Sequence, residues 1–521
     1  MGLRKRCSKT EAVLQRHRIH TVDSYWNLVG FFRLCKNHIN HSKKISYVFP
    51  VRKLVYLLLL LSVQSCTAPN TPKNTKQEPF CRDLDDIKAE GKLRALTDGS
   101  STSYFIYKGN PIGFEYALLK RFTKELRVNL EMIVVENLDS IEVMLDRGEG
   151  DIIAANYNIT DLRKSKLDFT QPIFNSDHVI VQAIPKGWDT LSQMQREQWQ
   201  IDSIPDLYGR TVTVRKGSSF HEKLLKLKNQ GIPISIELSD ESTEDLIKQV
   251  ADGQIELTVA DENVAKLNMT YYPSLNASTS IAEDLPVAWA IRTEAPALLD
   301  SANRWLTRFK STSAFATIQL KYFKARSQHR LKVFSSYSSL GGDQISRYDD
   351  LFKHEAKRIG WDWMLLAAMV RKESNFNPSV ESIAGAKGLM QLLPSTGANF
   401  GADSLSDPAQ NIRAGVAFIE AVMERWEADS LDSLNLIKFT LASYNAGVAH
   451  IKDAQALAAA HGANGNEWEE VSPYLLKLSI PKYYNHEVVE YGYCKGIQAY
   501  QYVDRVMEYL DHYQKGFQRP S

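Results

Sequence analysis

The hydrophobic periodicity of this 521-residue chain changes character once, and that change limits what the chain can fold into. Between residue 92 and about 325, short apolar runs alternate with amphipathic helical patterns. Residues 93–96 and 130–135 read as strands, and 115–126 and 141–147 as helices. This strand–helix alternation predicts parallel sheets covered by helices. From 327 to 342 the sequence turns polar, with Ser335-Ser336-Tyr337-Ser338-Ser339 followed by Leu340-Gly341-Gly342, and reads as a linker. Beyond 343 the pattern is helical almost throughout, clearest at 348–359, 363–374, 412–426, 434–444 and 493–513. The expected architecture is multidomain: an α/β domain of two lobes followed by an all-α domain.

A faint internal repeat supports the two lobes. Gly148-Glu149-Gly150-Asp151-Ile152-Ile153-Ala154-Ala155-Asn156 and Gly253-Gln254-Ile255-Glu256-Leu257-Thr258-Val259-Ala260-Asp261 each cross a glycine turn. Each then forms a short apolar strand and ends on a polar residue eight positions on. Polar groups at the carboxyl ends of strands are where open α/β sheets bind ligands.

The amino-terminal region differs from the rest in charge. Residues 1–53 carry twelve Lys/Arg and two acids, a net of +10 against +2 for the whole chain, so the body is acidic. An acidic body argues against a nucleic-acid partner, which needs a basic face. No apolar run reaches the ~20 residues of a bilayer span. The strongest, Leu54-Val55-Tyr56-Leu57-Leu58-Leu59-Leu60-Leu61, follows Arg52-Lys53 and leads into Ser65-Cys66. A basic start, a short apolar stretch and a small residue before the cleavage point describe a secretory signal over 51–65. Cys66 directly after it resembles a bacterial lipobox, which implies a lipid-anchored mature chain. Residues 1–50 form a leader of no assigned role, and 66–90, rich in Thr, Asn, Lys and Pro, read as a tether. Five cysteines, an odd count, give no disulfide framework; Cys494 is expected free and buried, with a Cys81–Cys494 bridge as the alternative. No CxxC or His-rich spacing points to a metal, and no cofactor is implied.

Several motifs in the α/β region resemble the periplasmic amino-acid-binding proteins, solute-binding family 3. They are Gly113-Phe114-Glu115, Asp151-Ile152-Ile153, Asn158-Ile159-Thr160-Asp161-Leu162-Arg163, Asp168-Phe169-Thr170-Gln171-Pro172 and Val212-Thr213-Val214-Arg215-Lys216-Gly217-Ser218-Ser219, with Val259-Ala260-Asp261. The resemblance assigns 91–326 to a periplasmic-binding-protein-like domain. It implies that Arg163 grips a ligand carboxylate, for which a guanidinium offers two parallel hydrogen bonds. It also implies that Asp261 receives an ammonium. Asn156, Asn158, Ser218 and Ser219 would complete that site, and the serines open a helix after a strand, where free N–H groups favour an anion.

In the helical region, Leu366, Met369 and Val370 mark an apolar stripe, and the next position on it is Glu373. A carboxyl in an apolar pocket has its pKa raised and stays protonated near neutrality, as a general acid must. Asn377-Pro378 ends the helix, so Glu373 sits in its last turn, where the helix dipole disfavours negative charge. Read from periodicity alone, Glu373 at the stripe's edge could equally reach out to solvent. Three motifs add to the reading: Glu373-Ser374-Asn375-Phe376-Asn377-Pro378, Gly388-Leu389-Met390-Gln391 and Ala442-Ser443-Tyr444-Asn445-Ala446-Gly447. Together they resemble the soluble lytic transglycosylases and goose-type lysozymes, over 343–515.

That resemblance implies a lysozyme-like domain that cleaves the β-1,4 bond between N-acetylmuramic acid and N-acetylglucosamine in peptidoglycan. Glu373 would act as acid and then base, leaving 1,6-anhydromuramoyl ends. Ser374, Met390, Gln391, Tyr444 and Asn445 would line the saccharide cleft, with Tyr493 from the carboxyl-terminal segment. A solute-binding domain, a lysozyme-like domain and a lipid anchor together resemble the membrane-bound lytic transglycosylases. The implied partners are peptidoglycan glycan strands, an amino acid or stem peptide in the solute-binding domain, and a membrane through the anchor. The implied location is the cell envelope, at the outer membrane facing the periplasm. Two other readings stand beside this one. A lysozyme would use water in place of the 6-hydroxyl, and a binding protein would only grip glycan.

Overall fold

The computed structural model describes residues 82–426 and 429–517. The leader, the signal segment and Cys66 lie outside the described residues. The α/β part contains β1 (Lys92–Thr97), β2 (Phe105–Tyr107), β3 (Asn110–Ile112), β4 (Asn129–Val134), β5 (Ile152–Ile153) and β6 (Leu167–Phe169), then β7 (Phe174–Ala183), β8 (Thr211–Arg215), β9 (Ser235–Ser239), β10 (Leu257–Asp261), β11 (Leu275–Val287) and β12 (Ala290–Arg292). The first lobe is a sheet in the order β4-β1-β5-β12-β6, and the second in the order β11-β7-β10-β8-β9. The two halves of the repeat become β5 and β10, each near the middle of its sheet.

The sheets are mixed rather than parallel. β12 runs antiparallel to β5 and β6, and β7 antiparallel to β10 and β11. The chain enters the second lobe between β6 and β7 and leaves it between β11 and β12. Phe174 and Val287 pair across these two crossings.

Two stretches that read as tether and linker are structured. Within 66–90, Leu84–Glu90 is a helix with a capping box at Asp83, and Leu84 and Ile87 are buried. Arg82 before it pairs with the fully buried Asp151 at 2.7 Å. Within 327–342, the helix Arg326–Val333 is followed by a turn that bonds the hairpin β2–β3. Lys108 N–H donates to Tyr337 O at 2.8 Å, and Ser339 exchanges two 2.9 Å bonds with the Ile106 backbone. The serines that read as flexible polarity satisfy the backbone of an otherwise open hairpin.

Past 342 the chain is helical, with Trp363–Ser374 at its centre. From Met364 to Val370 every residue of that helix is buried, so its apolar surface is a full circumference and not a stripe. It packs between Asp349–Arg358 and the last helix, Ile497–Phe517. Its apolar contacts continue without a break into the first lobe through Tyr104, Ile106 and Phe114, whereas the second lobe keeps cores of its own.

Candidate active site

Glu373 stands where the central helix leaves the core, on the floor of a cleft of about 1030 Å³. The helix ends one residue later because Asn375 takes the left-handed conformation. Burial pushes the Glu373 carboxyl up to about 7, against opposing effects from the Tyr502 hydroxyl and the Lys372 ammonium. Tyr502 comes from the last helix. Its hydroxyl is buried beside Glu373, short of a well-formed hydrogen bond and with no other partner. Asp504 also lines the cleft, where burial raises its carboxyl and the Glu508 charge adds to the effect. Glu381 is exposed and pairs with Lys387 at 3.4 Å, away from the cleft wall.

Three of the expected cleft residues line it with Glu373: Gln391, Tyr444 and Asn445. Gln391 sits in a left-handed turn (φ 50°), its amide donating to Val380 O and Gly388 O at 3.0 and 2.9 Å. Tyr444 donates to Met390 O at 2.7 Å.

The other three are placed differently. Met390 is fully buried, its sulfur packed against the Cα of Gly415, and only its carbonyl serves the site. Ser374 is also buried, with its hydroxyl turned back onto Val370 O at 3.2 Å. Tyr493 is exposed outside the cleft and packs edge-on against Tyr484. The tyrosine that the carboxyl-terminal segment brings to the cleft is Tyr502. Its signal is the buried stripe Ala499, Tyr502, Val503, Val506, Leu510 along the last helix.

Between the lobes, Asn156, Asn158, Arg163, Ser218, Ser219 and Asp261 meet around a cavity of about 50 Å³. By that measure it has room for a few waters, so the lobes are closed on one another. The ends of the repeat touch: Asn156 Nδ2 donates to Asp261 Oδ2 at 2.6 Å. Arg163 lies 3.6 Å over the Tyr157 ring and donates to Asn158 O and Gly217 O. Ser219 donates to Asn158 Oδ1 at 2.9 Å. Burial pushes Asp261 up to about 7, aided by the Asp98 charge, and holds His178 down at about 3. Asp261 Oδ1 and Asn158 Nδ2 are buried short of well-formed hydrogen bonds, with His178 Nε2 3.8 Å from Asp261 Oδ1. Asp98, Tyr157 and Arg215 also line this cavity and were not singled out in the sequence.

These sites define a class, a helical domain with a buried carboxyl in an open cleft joined to a two-lobed α/β domain. Residues 350–465 match the family model of the transglycosylase SLT domain, and residues 93–325 that of bacterial extracellular solute-binding proteins, family 3. The chain is similar to membrane-bound lytic murein transglycosylase F of Desulfosudis oleivorans, at 34% identity over 82% of this chain and 90% of that one. The proteins of that name from Alcanivorax borkumensis and Vibrio cholerae are 30% and 31% identical. They cover 82% and 89% of this chain, and it covers 89% and 86% of theirs. The chain belongs to the membrane-bound lytic murein transglycosylase F family.

A carboxyl near 7 that must donate a proton predicts a rate that falls as pH rises through about 7. Tyr502→Phe removes one group that favours the charged form, so this basic limb moves to higher pH, by roughly half to one unit. Initial rates on purified sacculi between pH 5 and 9 check this. An unmoved limb, or one displaced downward, contradicts the assignment.

Proposed function

We propose that Glu373 alone carries both proton transfers of a lytic transglycosylase. As a member of its family the chain is a peptidoglycan lytic transglycosylase, a lyase acting on a glycosidic bond. Protonated Glu373 gives its proton to the glycosidic oxygen between N-acetylmuramic acid and N-acetylglucosamine, and the C1–O bond breaks. The resulting carboxylate takes the proton of the muramoyl 6-hydroxyl, whose oxygen closes on C1. One sugar leaves with a 1,6-anhydro ring and the other with a free hydroxyl, and no water is consumed. The observation that carries this reading is the Glu373 carboxyl itself, buried at the end of its helix on the cleft and pushed up to about 7. Gln391, Tyr444 and Asn445 hold the saccharide beside it.

The interlobe site takes an amino acid or a peptidoglycan stem peptide, with its carboxylate on Arg163 and its ammonium on Asp261. Asp261 and Asn158, side by side on the cavity wall, supply recognition atoms. A ligand larger than a few waters requires the lobes to part. Leu267 of the second lobe packs with Phe105 of β2 and with Val333, which gives that motion a route towards the helical domain. Cys66 carries the lipid anchor, after removal of 51–65, and holds the enzyme at the outer membrane facing the periplasm. Among the described residues no helix is long and apolar enough to cross a membrane. The tether 66–81 would then lead to a binding domain starting at Arg82, and the lytic domain spans 343–515.

Glu373→Gln keeps the shape of the side chain and loses both proton transfers, each worth about 10²–10⁴-fold. Activity on sacculi should disappear while the protein stays folded, and more than a tenth of the wild-type rate would remove Glu373 from the mechanism. Two further variants test the accessory sites. Arg163→Ala should lose calorimetric binding of free amino acids and stem peptides that the wild type shows. Cys66→Ala should move the protein out of the membrane fraction, and continued pelleting after a high-salt wash would refute the anchor.

A further inference from the structure

The turn after Glu373 holds two consecutive residues with left-handed backbone, Asn375 (φ 54°) and Phe376 (φ 60°). Asparagine tolerates that region, but for a bulky residue such as Phe376 it is an outlier. Such residues are strained and persist where their surroundings over-determine them.

Part of what surrounds Phe376 comes from the solute-binding domain. The hairpin β2–β3 turns at Lys108 (φ 48°) and Gly109 (φ 68°), and its tip is pressed into the helical domain. A Cβ on Gly109 would lie 2.8 Å from Phe376 Cε2 and 2.6 Å from the Tyr513 hydroxyl. That hydroxyl donates to Gly109 O at 3.0 Å. One residue on, Asn110 Oδ1 accepts a hydrogen bond from Arg371 Nη2. Arg371 precedes Glu373 by two residues, which on an α-helix turns it about 200° away. One side of the helix end therefore faces the hairpin and the other faces the cleft. The Arg371 guanidinium also lies 5.2 Å over the Tyr509 ring of the last helix. The hairpin is braced from behind by Tyr337 and Ser339.

We propose that Gly109 and Asn110, in the solute-binding domain, are positioning residues for Glu373, clamping the last turn of its helix through Phe376 and Arg371. The clamp sets how deep the carboxyl sits and in which direction it points. This rests on the reading of Glu373 as the acid–base group.

The test uses the full chain and soluble glycan strands released from sacculi, with Asn110→Ala, Asn110→Asp and Gly109→Ala. A small displacement of a reacting group is costly, so Asn110→Ala should lower kcat about 10-fold with KM within twofold of wild type. A loosened helix end admits water to Glu373, and the basic limb of the pH–rate profile should move to lower pH. Asn110→Asp keeps an acceptor for Arg371 and should restore most of the rate and the limb. Gly109→Ala should show the same signature more strongly, and if it does not fold the Asn110 pair decides. Wild-type kcat and pH limb in a folded Asn110→Ala protein would overturn the proposal. So would a loss of rate with an unmoved limb, or one that Asn110→Asp shares in full. Glu373→Gln measured alongside separates the two readings. Activity retained there refutes the acid–base assignment, whereas activity lost there with unaffected hairpin variants refutes the clamp alone.

Discussion

The continuous apolar core that joins the first lobe to the helical domain is the feature on which the rest of the molecule depends. Tyr104, Ile106 and Phe114 of the lobe, Met364 to Val370 of the central helix and Tyr502 to Tyr513 of the last helix belong to one packed cluster. Polar contacts close it at the edges: Tyr104 Oη and His512 Nδ1 lie 2.6 Å apart, and Lys120 pairs with Glu508 at 2.6 Å. Close-packed interiors transmit displacement rather than absorb it. The first lobe and the enzyme therefore share one core, whereas the second lobe packs mainly on cores of its own. Glu244 of the second lobe accepts hydrogen bonds from the backbone and hydroxyl of Ser101 in the first, and burial pushes that carboxyl up to about 7.

Burial does similar electrostatic work at two distant places. Glu373 at the cleft and Asp261 between the lobes are both carboxyls pushed up to about 7 by loss of water. At Glu373 the result suits the proposed role, since a carboxyl pushed up to about 7 is partly protonated at neutral pH and can take a proton back. At Asp261 the result is a carboxyl that gains most from an arriving cation, because an ammonium would offset its desolvation.

The binding site was the more legible of the two in the sequence. Its residues lie in local strand–turn–helix motifs, so Asn156, Asn158, Arg163, Ser218, Ser219 and Asp261 fall around one cavity once the strands are placed. The candidate cleft is assembled from segments far apart in the chain. Glu373, Gln391, Tyr444 and Asn445 could be read from their motifs, but the inward turns of Ser374 and Met390 depend on packing that no local pattern encodes. Tyr502 sits on a helix more than a hundred residues from Glu373, and its apolar neighbours make it look like core. The Ser-rich 335–339 stretch misled for the opposite reason, since its polarity serves hydrogen bonds to a hairpin and not solvent.

The central claim is that one carboxyl completes the reaction without water. Digestion of sacculi in ¹⁸O-enriched water tests it directly, by mass analysis of the new muramoyl ends. The account predicts ends lighter than the hydrolytic product by one water and carrying no solvent oxygen. Muramoyl ends that carry ¹⁸O at the anomeric position would show that water attacks, and would contradict it.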